Sequence, residues 1–92
     1  MPRYLFKVDY SVEGLRGVMK EGAAGRVAQI EKISSNLGGH MESFDFAFGQ
    51  TDVYVIVTVP DDTKAAAVAM AVGASGVGSI ETVRKPWAMV PW

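Results

Sequence analysis

The chain has 92 residues, 49% of them hydrophobic and 21% charged, a balance that fits one small globular domain and excludes a disordered polyampholyte. The net charge of −1 gives no electrostatic reason to bind nucleic acid or an anionic membrane. With no cysteine and one histidine, disulfides, thiolate metal sites and a multi-histidine metal site within one chain are all excluded, and no cofactor is expected.

A chain this short buries roughly 60–65% of its unfolded surface, so its core is thin. Small domains are completed by a disulfide, a metal or a partner, and here self-association is the supplement left. The N-terminus carries no basic segment followed by a long apolar run, so no signal peptide is expected. No stretch approaches the ~18 apolar residues that a membrane span needs. Together with the lack of cysteine, these features predict a cytoplasmic protein.

Tyr4 to Tyr10 alternates, with Tyr4, Phe6, Val8 and Tyr10 in one row and Leu5, Lys7 and Asp9 in the other, which predicts a strand. Ser11 is a helix N-cap, and Val12, Leu15, Val18 and Met19 share a helical face. A break over 22–25 precedes a stronger helix with Val27, Ile30, Ile33 and Leu37 on its apolar stripe and Arg26 off it. Gly38 and Gly39 stop that helix.

From His40 to Phe48 the alternation returns. It places Phe44, Phe46 and Phe48 on one face and Met41, Ser43, Asp45 and Ala47 on the other. A turn over 49–52 leads into the most apolar strand, 52–59, and so short a turn predicts an antiparallel hairpin. Asp61 or Asp62 caps an alanine-rich helix over about 63–72. A glycine-rich connection and a last strand over 79–85 follow, then an apolar tail with Trp87 and Trp92.

The order strand, helix, strand, strand, helix, strand predicts an α+β, ferredoxin-like four-stranded antiparallel sheet of order 4-1-3-2 spanning residues 1–92, with helices on one face. Phe6, Val8, Phe44, Phe46, Phe48, Val53, Val55 and Val57 are assigned to the covered face. The open face then presents Leu5, Lys7, Asp9, Met41, Asp45, Tyr54 and Ile56. That row is too apolar for bare water and too polar for an ordinary core, which suits packing against a second copy. Leu5, Lys7, Asp9, Met41, Ile56, Trp87 and Trp92 are the expected interface residues.

The segments Leu37-Gly38-Gly39, Gly49-Gln50-Thr51-Asp52-Val53-Tyr54-Val55-Ile56-Val57, Pro60-Asp61-Asp62 and Gly78-Ser79-Ile80-Glu81-Thr82-Val83-Arg84 resemble the GYD domain family, and Tyr4–Tyr10 followed by Glu13-Gly14-Leu15-Arg16 fits as well. The resemblance covers nearly the whole chain. It implies a ferredoxin-like fold of the dimeric α/β-barrel kind, in a family of small bacterial proteins with no established activity. Gly49 and Asp52 match the family's Gly-x-Tyr-Asp signature, whereas Thr51 stands at its tyrosine.

Candidate chemistry is sparse. His40, with Glu42 two residues on, reads as an acid/base pair or half of an intersubunit metal site, against a solvated strand-start histidine. Lys7, Asp9 and Asp45 converge either for proton transfer or as an interface ion cluster, the latter being favoured. Gly73, Gly76 and Gly78 follow a helix and precede a strand, the reverse of a dinucleotide-binding loop. Phe44, Phe46 and Phe48 line a cavity between sheet and helices or simply pack there. Asp52 is expected to accept backbone N–H bonds.

The first reading is therefore a non-catalytic, self-associating module that binds a small, mostly apolar metabolite or only assembles. The alternative is a cofactor-independent enzyme, monooxygenase- or isomerase-like, with His40, Asp45 or Tyr54 in its cavity.

Overall fold

The computed structural model describes residues 2–76 and 78–85, the last two by backbone alone. The elements run β1 (Arg3–Tyr10), α1 (Val12–Glu21), α2 (Ala23–Asn36), β2 (His40–Phe46), β3 (Val53–Thr58), α3 (Asp62–Ala74) and β4 (Gly78–Lys85). The architecture is α+β. Every strand pairing is antiparallel, and the order is β2-β3-β1-β4, which counted from the β4 edge reads 4-1-3-2. The tail with Trp87 and Trp92 lies outside the described residues.

Local chemistry explains where the helices begin and end. The Ser11 hydroxyl accepts from the Gly14 N–H at 3.0 Å and opens α1. The Asp61 carboxylate accepts from the Lys64 N–H at 2.8 Å and opens α3, so Asp61 is the cap of the pair Asp61/Asp62. Asp62 instead accepts a hydrogen bond from the hydroxyl of the buried Tyr4, which ties α3 to β1. The helical segment 12–36 is interrupted at Gly22, which is both the C-cap of α1 and the N-cap of α2.

The core forms where β1 and β3 turn their apolar rows toward α2 and α3. Tyr4, Phe6, Val8, Val53, Val55 and Val57 are buried against Ala65, Val68 and Val72 of α3, with Ile30 and Ile33 of α2 packed on them. Register pairs Phe6 with Val55 and Val8 with Val53, so each apolar residue of β1 has an apolar neighbour on the same face. The assigned phase of both strands holds: Leu5, Lys7, Asp9, Tyr54 and Ile56 alternate out of this core.

Strand β2 departs from strict alternation. Met41 lies opposite Val57 and Ser43 opposite Ile56, so Glu42 is an extra residue and the strand carries a bulge. A bulge resets the two-residue phase. Met41 therefore packs on the core beside Phe44, on the helix side, and not on the open face where alternation put it.

Gly39 sits where β2 leaves α2 and passes against β3. A Cβ there would collide with the Thr58 carbonyl oxygen and come within 2.7 Å of Val59 Cγ1. The carbonyl belongs to a paired strand and has little room to move. Gly39→Ala is expected to lower stability by about 2–3 kcal/mol, seen as an earlier urea midpoint at unchanged slope. An unchanged midpoint would contradict so close a strand approach.

Candidate functional site

Two regions collect the predicted functional residues, and they lie on opposite sides of the sheet. The first is the open face. Its middle row runs Ser43, Ile56, Leu5, Val83 across the four strands. A polar row lies on either side. One runs Asp45, Tyr54, Lys7, Glu81; the other contains His40, Thr58 and Arg3.

The geometry of these polar rows decides among the sequence readings. His40 Nδ1 is 3.0 Å from the Thr58 hydroxyl, and Glu42 pairs with Arg3 at 2.6 Å. His40 and Glu42 thus each take a partner on another strand, Thr58 and Arg3, which are themselves register neighbours. Among the described residues no cluster of three metal-ligating side chains forms. Lys7 reaches toward Glu81 at 3.9 Å, while Tyr54 stands between Lys7 and Asp45 in the cross-strand row. Asp9 is paired in register with Ser79, one step further along. The expected Lys7–Asp9–Asp45 convergence is therefore a spread row of surface charges.

The second region is a cleft between the sheet and α2. Phe44 and Val53 form its floor, and Ile30, Ile33 and Val72 its apolar walls. It encloses about 20 Å³, space on the scale of one water molecule. A second, wholly apolar hollow continues from it beneath Phe6, Val55 and Val68, sharing Val8, Ile30 and Val72. Of the three phenylalanines assigned to this space only Phe44 lines it. Phe46 stacks edge-on against Phe44 at 5.3 Å between ring centroids yet is 47% exposed at the sheet edge. Phe48 is fully exposed in the loop after β2 ends. Strand β2 is an edge strand that ends at Phe46, so the row runs out before the helices cover it.

His40, Asp45 and Tyr54 do not enter the cleft; its polar residues are Tyr10, Arg26, Gln29 and Ser75. Sequence reading missed Arg26 because a 3.6-residue stripe centred on Val27, Ile30 and Leu37 leaves it outside. The inner face of α2 is rotated slightly, and Arg26 and Ser34 are buried on it while Val27 is only half-buried. The available signal was the spacing Arg26, Ile30, Ile33, Leu37, which is equally helical.

Asp52 holds the cleft's Tyr10 end in place. Its carboxylate accepts from the Tyr10 backbone N–H at 2.8 Å, and its own N–H donates to the Val8 carbonyl at 3.0 Å, extending the β1–β3 ladder by side chain. This is the structural role expected for it.

Burial pushes the Tyr10 phenol above its usual range; the Arg26 charge opposes this and the Asp52 charge adds to it. A raised folded pKa means that the folded state holds the proton more tightly than the unfolded chain. Its contribution to stability is full below the unfolded value of about 10 and is lost as pH rises through the higher folded value. In an ultraviolet titration, Tyr10→Phe is expected to remove an ionisation step lying above the ordinary tyrosine range. A step removed at the ordinary value would contradict the burial.

Among the described residues, no helix is long and apolar enough to cross a membrane. No curated protein and no solved structure matches the chain. The family model of the GYD domain matches residues 4–86, from the first strand through the last. That match covers nearly the whole chain, and the protein therefore belongs to the GYD domain family.

Proposed function

We propose that this protein is a non-catalytic, self-associating binding module, with a ferredoxin-like fold of the dimeric α/β-barrel kind, working in the cytoplasm. Two copies shelter their open sheet faces against each other, and each keeps its own cleft for a small, mostly apolar metabolite. The observation that carries this reading is the row Leu5, Ile56 and Val83, which no helix covers among the described residues.

Several features support a second copy as the cover. The apolar row is flanked by both signs of charge, Arg3 and Lys7 with Glu42, Asp45 and Glu81. A face with both signs is able to complement itself across a two-fold axis. Val83 is 40% and Tyr54 36% exposed in one copy, large apolar surface for a domain with so thin a core.

The cofactor-independent enzyme is less well supported. A catalyst of that kind needs a titratable group against apolar walls, and the nominees His40, Asp45 and Tyr54 all lie on the other side of the sheet from the cleft.

The test is an isotope-filtered nuclear Overhauser experiment on a mixture of labelled and unlabelled protein. Contacts between copies are expected at the Leu5, Ile56 and Val83 methyl groups. Contacts confined to the helix side, or none at all, would overturn the proposed assembly.

A further inference from the structure

Helix α1 is amphipathic, yet its glycines face inward and its apolar row faces out. Gly14 is buried. Gly17 lies over Arg26 of α2, where an added Cβ would come within 2.8 Å of a guanidinium nitrogen. With no side chains at these two positions, the inner side of α1 offers little apolar area. The outer side carries Val12, Leu15 and Met19, which are 66%, 47% and 85% exposed. Their spacing of three and four residues makes one continuous stripe.

One flank of that stripe holds Glu13, Arg16 and Lys20, all exposed. None of the three is ion-paired among the described residues. Arg16 and Lys20 are four residues apart, so two like charges stand one helical turn above each other. An apolar stripe bordered by an acid and then two bases is complete only against a surface of the reverse order. The same helix turned end for end has that order.

We propose that α1 is a second self-association surface, packing antiparallel against α1 of another copy about a two-fold axis near Leu15. With Val12 level with Met19 of the second copy, residue 13 is level with residue 18, midway between Arg16 and Lys20. In an antiparallel pair each flank meets the same flank of its partner, so Glu13 of each copy enters between the two cations of the other. A parallel pair would set Glu13 against Glu13 and Arg16 against Arg16, so the charges select the direction. This surface shares no residue with the open sheet face and does not rest on the assembly proposed there. A ten-residue helix is about 15 Å long. Its contact falls well below the roughly 1,200 Å² of a stable interface, so the dissociation constant is expected at about 0.1–1 mM and the contact is empty at micromolar concentration.

The test follows methyl resonances of the full chain from about 10 μM to about 1 mM. An Ile56→Lys background keeps packing of open sheet faces out of the result. Saturable, concentration-dependent shifts are expected at the Val12 and Leu15 methyls and the Met19 ε-methyl, while the Leu5 and Val83 methyls stay still. Glu13→Lys makes the flank wholly cationic, and Arg16→Glu with Lys20→Glu makes it wholly anionic. Each is expected to weaken the association at least about tenfold, and an equimolar mixture of the two to restore it. These positions are exposed, so the helical circular dichroism of each variant should match the parent. Val12, Leu15 and Met19 signals that do not move with concentration would overturn the proposal and leave the face to a different protein. So would a mixture no tighter than either variant alone, or shifts that neither charge variant changes. None of these outcomes bears on Leu5, Ile56 and Val83, so the two surfaces stand or fall separately.

Discussion

Phe6→Ala is expected to cost about 3–5 kcal/mol, the largest stability loss of any single substitution in the sheet. The ring is 4% exposed on the central strand β1, opposite Val55, and looks into the hollow formed with Ile30, Val68 and Val72. Its removal takes away transfer free energy and leaves a void bounded by two strands and two helices, which cannot all close in together. Total stability for a domain of this size is of order 5–15 kcal/mol, so a loss on this scale is a large share of it. By thermal unfolding the midpoint should fall by roughly 15 °C or more. A drop below about 1 kcal/mol would mean that Phe6 is not the centre of the sheet–helix core.

The second large effect is on assembly. Ile56 lies on the open face between Leu5 and Ser43, at the middle of the row that no helix covers. In a two-fold dimer each substitution appears twice, so Ile56→Lys places two like charges near the axis of an apolar contact. A central interface residue of this kind carries 2 kcal/mol or more, so dissociation is expected to become at least about 30-fold easier. The same lysine on a free monomer has room to extend into water, and helical and strand signals should stay native-like. A variant that keeps the wild-type mass at the same concentration would remove Ile56 from any interface. Phe6→Ala and Ile56→Lys thus separate the two faces of one sheet: the first lowers folding stability, the second the association constant.

Much of the fold was legible because β1 and β3 obey a strict two-residue period with β-branched and aromatic side chains on the inner row. Capping was legible too, since Ser11 and Asp61 are short acceptors placed where helices begin. What the sequence concealed has identifiable causes. The bulge at Glu42 leaves no compositional mark, yet it moves Met41 across the sheet. The exposure of Phe48 follows from where β2 ends, which depends on the pairing of β3 and not on local hydrophobicity. Arg26 was hidden because a charged residue beside an apolar stripe is ordinarily solvated, and only its seat over Gly17, a residue of the preceding helix, brings it inside. The apolar row of α1 is a further departure: Val12, Leu15 and Met19 share a helical face as expected, but that face is turned outward, with Met19 85% exposed. Nothing in the packing of the described residues accounts for it.

The shelter of the open sheet face by a second copy is tested most directly by sedimentation of the full chain at micromolar concentration. A mass twice the 9.9 kDa of one chain, falling toward that of a single chain on dilution or with Ile56→Lys, is the expected result. A wild-type protein that sediments as a single chain across that range would contradict it.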